Sequence, residues 1–255
     1  MSTRRAFLGL LAPVAAASAA ELREPTDRFY EGYIGNLIRR LASRPNFLLI
    51  DAADGLRARV RGGELFVEER RARREPPDGL IHHWEGAVFV PKVKLAEVIR
   101  FVQDYDSHKK VYAPEVVASQ TLERKGDDFR VRLRLLKKQI LTVVLETEHK
   151  VTYRKVDEAK WESISRSTKV TEVDDAGKAK EKELPPGTGN GFVWKLDSFW
   201  RFLEGDGGVY LECTSVSLSR DVPFGMGRVI RPIIEELPAD SLRNMLAKTR
   251  QALRR

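Results

Sequence analysis

Apolar and polar positions alternate strictly along two stretches of the chain. In Phe129–Leu135, Phe129, Val131, Leu133 and Leu135 are separated by Arg130, Arg132 and Arg134. This is the period-2 pattern of a half-buried strand with a basic outer face. In Thr142–Lys155, Leu145, Thr147, His149, Val151 and Tyr153 share one face, and Glu146, Glu148, Lys150, Thr152 and Arg154 share the other. Val116–Arg124 precedes this pair across a Lys125-Gly126 turn, and Trp161–Val173 is expected to be the next strand. LIHHWEGAVFVP, from Leu80, is an earlier strand bounded by Gly79 and Pro91. Helical spacing marks three segments. The first is Asp27–Ser43. The second runs from Leu95 through Val98, Ile99 and Val102 to Tyr105. The third is Ala239–Leu253, with Leu242, Met245, Leu246, Thr249 and Leu253 on one stripe. A basic stretch before Gly62-Gly63 reads as strand-like, with Glu64–Glu69 following it. The charged, Pro- and Gly-bearing segment Asp174–Asn190 reads as a loop.

The last two strands form a hairpin, FWRFLEGDGGVYLECTSVSLSR. Asp206-Gly207 as a two-residue loop favours a type I′ turn, which pairs Gly205 with Gly208. In that register Phe202 faces Leu211, Trp200 faces Cys213, Ser198 faces Ser215, Leu196 faces Ser217 and Trp194 faces Ser219. The opposite face pairs Arg201 with Glu212 and Asp197 with Val216, so it is the outer one. Phe199, Val216, Leu218 and Tyr210 leave an apolar patch there, on which the helix of residues 27–43 is expected to pack. Strands in series closed by a long helix argue α+β: a curved antiparallel sheet wrapped around the C-terminal helix, with an extra N-terminal helix.

The ends of the chain alter this picture. Residues 1–20 carry Arg4-Arg5, an apolar run too short to span a membrane, and small residues before Glu21. That is a signal-peptide pattern, similar to the twin-arginine export motif, with cleavage expected near Ala19–Ala20 and a periplasmic or secreted destination. The organisation is then residues 1–20 as leader, 21–78 as an N-terminal helix and strand extension, and 79–255 as the main domain. The formal charge of +8 is spread along the chain and interleaved with acids. Its densest cluster, Glu68–Pro77, reads as a solvated loop, with an anionic membrane surface as the alternative partner. No nucleic-acid signature is present. One cysteine excludes an internal disulfide, and four histidines without metal spacing leave no metal or cofactor expected.

LIHHWEGAVFVP, LAEVIRFVQDYDSHKKVYAPEVVAS, the hairpin GFVWKLDSFWRFLEGDGGVYLECTSVSLSRDVP and the closing LPADSLRNMLAKTRQAL together resemble the START-like, SRPBCC superfamily with the helix-grip fold. The resemblance covers roughly Leu80–Leu253. It implies a deep apolar cavity between sheet and terminal helix, and binding of a lipid, sterol, polyketide or other hydrophobic molecule.

On that reading the inner face of the hairpin lines the cavity. Trp194, Ser198, Trp200, Phe202, Cys213, Ser215 and Ser217 are the candidates, with His149 and Tyr153 from the alternating strand and Met245 from the helix. If Val156 pairs with Trp161, Val151 stands opposite Arg166, and Arg166 points inward toward an anionic partner. The same inner face could instead be a filled core. His149 could be a satisfied core histidine. Three functions follow: a non-catalytic carrier of a hydrophobic ligand, a cyclase- or hydrolase-type enzyme using His149 and Arg166, or a protein-interaction module.

Overall fold

The computed structural model describes residues 20–70, 72, 74–138, 142–221 and 227–254, with the backbone alone over 227–237. The expected leader lies outside the described residues, apart from Ala20. Described strands are β1 Phe66–Glu69, β2 Gly79–Pro91, β3 Val116–Lys125, β4 Asp128–Lys138, β5 Thr142–Asp157, β6 Lys160–Asp174, β7 Lys182–Glu183, β8 Lys195–Gly205 and β9 Gly208–Arg220. They pair antiparallel in the order β1-β2-β9-β8-β6-β5-β4-β3, with β7 beside β6. The sheet is curved and unclosed. Helices are α1 Glu24–Ser43, α2 Leu56–Arg61, α3 Leu95–Gln103, α4 His108–Val111 and α5 Gly227–Leu253. This is the α+β helix-grip arrangement that the resemblance implied.

Several expected elements differ: β7 lies within the segment expected as a loop, and α5 begins at Gly227, ahead of the expected Ala239. The basic stretch before Gly62 is the helix α2, not a strand. Leu56 and Val60, four residues apart, are buried together on one side of it. The helical stripe from Leu95 breaks at Asp104, and a 3₁₀ turn, Tyr105–Ser107, redirects the chain into α4.

The hairpin takes the register set by its turn. Asp206 and Gly207 both have positive φ, 54° and 79°, as a type I′ turn requires. Pairing runs from Gly205↔Gly208 to Lys195↔Leu218. Each strand then divides its residues between two layers. On the concave side, Val88, Val90, Phe202 and Leu211 meet α3 and the α5 residues Leu242 and Leu246. Gly86 permits this approach. A Cβ there would stand 2.7 Å from Leu246 Cδ1, 3.2 Å from Leu242 Cδ2 and 3.1 Å from the Phe66 carbonyl.

The convex side is covered by the N-terminal segment. Tyr30, Ile34 and Leu37 of α1 pack on Ile81 and on Phe199, Val216 and Leu218, three of the residues of the patch expected to receive that helix. Tyr210, from the same patch, joins Leu48, Ile50, Leu56 and Val60. Among the carboxylates buried on this side are Asp197 and Glu212. Asp197 accepts from Arg166 Nε (2.6 Å), the Ser167 amide (2.8 Å), Ser167 Oγ (3.2 Å) and the Tyr30 hydroxyl (3.2 Å). Glu212 accepts from Arg44 Nη2 at 2.6 Å and from the Leu49 amide. Arg201 stands opposite Glu212 in register, but its guanidinium donates to the carbonyls of Phe47 and Leu41. Burial raises both carboxyls above their ordinary range even so, with the arginines opposing. The basic face of β4 is neutralised in part: Arg132 meets Glu148, and Arg134 meets Glu146 and Glu181.

Candidate functional site: a cavity between sheet and helix

Beyond the part of the sheet that α5 covers closely, the concave faces of β4, β5, β6, β8 and β9 diverge from the helix and leave a cavity of about 270 Å³. Its wall is mainly apolar: Val131, Leu133, Leu135, Val143, Leu145 and Val151 come from β4 and β5. These are the alternating inner positions visible in the sequence. Opposite them stand Leu242 and Met245 of α5 and Val102, Tyr105, His108 and Tyr112 of the α3–α4 segment.

Ser198, Trp200, Phe202, Ser215, Ser217, His149, Tyr153 and Met245 all line this space. Trp200 and Phe202 stack, with ring centroids 5.8 Å apart and planes 2° from parallel. Small hydroxyls on β8 and β9 stand on the same wall.

Three candidates lie elsewhere. Cys213 has the expected inward direction but is fully buried in the packed core. There the thiol behaves as a small hydrophobe, and burial pushes its pKa up. Trp194 is on the convex side. Strand β8 begins at Lys195, so the ladder's alternation does not govern Trp194, and its indole joins the cluster beneath α1. Arg166 also faces outward. The turn starts as expected, with Asp157 opposite Lys160, but Val156 is an extra residue bulged out of β5. The next pair is therefore Lys155↔Trp161, and Val151 meets Ser165 while Arg166 meets Lys150. A one-residue slip reverses every following side chain. Arg166 is bound to Asp197 and, at 2.8 Å, to Glu31 of α1.

The same slip brings residues into the site that the expected register had turned away. Ser163 and Ser165 of β6 line the cavity. Alternation in WESISRS was the signal for them, readable only once the bulge is known. His149 Nδ1 lies 3.4 Å from Ser165 Oγ, and its Nε2 has no hydrogen-bond partner among the described residues. Burial holds this imidazole's pKa down at about 4, so it is neutral at physiological pH. His108 also lines the cavity, is pushed down to about 4 by burial, and leaves Nε2 without a partner among the described residues. The tyrosines are satisfied: Tyr105 and Tyr153 share a hydroxyl contact of 2.8 Å, as do Tyr112 and Thr249.

Charge is confined to one rim. Lys137 Nζ reaches Glu115 Oε2 (2.5 Å) and Ser241 Oγ (2.6 Å), Asn244 donates to Glu115 Oε1 (2.7 Å), and Lys248 donates to the Ala113 carbonyl. These bonds tie the start of β3 and the end of β4 to α5. Chemically, the interior offers apolar contact and neutral hydrogen bonding. Ser165 and His149 are near each other, but a buried imidazole of such low basicity is a poor general base at neutral pH. No carboxylate orients its far nitrogen among the described residues, as an activated serine would need. The described residues contain no His, Cys, Asp and Glu group able to hold a metal.

Fold and site together define a helix-grip protein with an internal, largely apolar cavity. Solved structures with a similar arrangement include a STAR-related lipid transfer protein from Xanthomonas axonopodis, at TM-score 0.44 and 16% identity, covering 74% of this chain and 99% of that one. The human StarD13 lipid transfer and protein localization domain matches at TM-score 0.46 and 10% identity, covering 78% and 94%. Human STARD10 matches at TM-score 0.46 and 9% identity, covering 90% and 81%. No protein-family model and no curated protein matches the chain.

Proposed function

We infer that this is an exported, non-catalytic protein that binds or carries a hydrophobic small molecule or lipid in the cavity under α5. The observation that carries the reading is the cavity itself: about 270 Å³ walled by valines, leucines and aromatic rings. Stable domains close such space with side chains, because each unfilled volume forfeits packing energy. Here serines stand at Ser198, Ser215 and Ser217 beside Trp200. The volume lies just below the ~300–1,000 Å³ typical of small-molecule pockets. It suits one ring system or one acyl chain better than a two-chain lipid. Export rests on the Arg4-Arg5 motif and the apolar run behind it.

Native mass spectrometry of protein purified from its host, with organic extraction of the bound fraction, tests the reading. A stoichiometric apolar ligand is the expected result. Repeatedly empty protein that also fails to take up N-phenyl-1-naphthylamine overturns it. For export, the protein recovered from the periplasm should begin near residue 20, and the Arg4→Lys, Arg5→Lys double variant should remain in the cytoplasm.

A further inference from the structure

Three serines cross the cavity wall in a single line. Ser165 on β6 is the register partner of Ser198 on β8, and Ser198 is the partner of Ser215 on β9. Neighbouring strands lie ~4.8 Å apart, so the row runs about 10 Å perpendicular to the strands. It continues onto β5 through His149, whose Nδ1 meets Ser165 Oγ. All four residues line the cavity. The three serines are half-buried, while the His149 beside them is buried, where a polar group is costly unless something bonds to it. His149 is 5% exposed, and its Nε2 lacks a partner among the described residues.

The chemistry of the row is uncharged. Serine hydroxyls donate and accept, and a neutral imidazole supplies one donor and one acceptor. The charged lining residues Glu115, Lys137 and Lys248 are at the rim. On β4, Lys137 is six residues beyond Val131, the register partner of His149, which places it about 20 Å along the strand. A carboxylate at the row would be stripped of water with no cation nearby among the described residues.

We propose that the cavity selects an apolar molecule carrying an uncharged oxygen, a hydroxyl or carbonyl, that docks on the Ser165–Ser198–Ser215 row beside His149, and discriminates against the same skeleton when that oxygen is missing or ionised. This rests on the reading of the cavity as a ligand site. The test uses the full chain and displacement of N-phenyl-1-naphthylamine at neutral pH by naphthalene, 1-naphthol and 1-naphthoate. One net hydrogen bond corresponds to 1-naphthol displacing the probe at about three- to tenfold lower concentration than naphthalene. Naphthoate should be the weakest. In the Ser165→Ala, Ser198→Ala double variant, and separately in His149→Phe, the preference for 1-naphthol over naphthalene should vanish, the two compounds displacing the probe at equal concentrations. Should His149→Phe not fold, the serine variant decides alone. Equal displacement by naphthol and naphthalene in the unaltered protein, or a preference that survives the variants, overturns the proposal while leaving the carrier reading standing. Protein that takes up none of these compounds overturns both.

Discussion

Replacing Gly86 by alanine tests how closely α5 is seated on the sheet. Glycine inside a strand is ordinarily a weakness, and Gly→Ala there is expected to add ~0.5–1 kcal/mol of stability. At this position the opposite sign is expected. The added methyl would lie 2.7 Å from Leu246 Cδ1 and 3.1 Å from the Phe66 carbonyl, inside contact distance on both sides. Leu242 and Leu246 are themselves enclosed, at 1% and 0% exposure, so neither can swing clear. Overpacking of this kind costs about 1–3 kcal/mol. For a chain of this size that corresponds to a fall in Tm of roughly 2–12 °C. Thermal unfolding followed by circular dichroism, with urea titration at 25 °C as a second measure, reads the change. The Leu246→Ala background supplies the control, since it removes the nearest obstructing atom. Gly86→Ala should cost less there than in the unaltered protein, with a coupling of about 0.5–3 kcal/mol. A Tm that holds or rises, or strict additivity of the two changes, refutes the idea that Gly86 sets the helix's distance from the sheet.

Acid should destabilise the protein through its histidines. Burial lowers His82, His83, His108 and His149 to about 4, so their contribution is complete above the unfolded value of ~6.5 and is lost as pH falls toward 4, by at most about 3 kcal/mol each. The raised carboxyls Asp197 and Glu212 have the opposite sign, contributing at low pH and losing that contribution as pH rises through their folded values. Urea midpoints measured from pH 7 to 4 should therefore decline, less steeply in His149→Phe; a flat profile contradicts the burial argument. Arg166→Ala should leave naphthalene binding unchanged and lower stability by about 1–3 kcal/mol, because Asp197 loses its buried counter-charge but keeps three other donors. Lost binding with unchanged stability would mean that Arg166 reaches the cavity after all.

The hairpin was legible in the sequence because one turn determines it. Asp206-Gly207 fixes a register, and the charges at Lys195, Asp197 and Arg201 say which face is outside. The β4 and β5 faces were legible for the same reason, with polar residues marking one side. Reading failed where backbone irregularity decides direction. Val156 is a single extra residue with no compositional mark, yet it turns Arg166 outward and Ser163 and Ser165 inward. Trp194 failed at a strand end, where the alternation has no ladder to enforce it. Arg201 and Glu212 stand opposite each other as read, but Arg44, distant in sequence, supplies the guanidinium that Glu212 binds. The short helices α2 and α4 carry too few residues for periodicity to declare them.

The two faces of β8 and β9 divide the labour of the molecule. Tyr30, Arg44 and Arg166 secure these strands from the convex side through Asp197 and Glu212, while Ser198, Ser215 and Ser217 on the concave side carry little of that load. Where these strands border the cavity, lining and support thereby fall on alternate residues. The lining can be rewritten, by drift or by design, without touching the residues that keep the wall upright. A scaffold arranged this way can change what it holds while remaining the same scaffold.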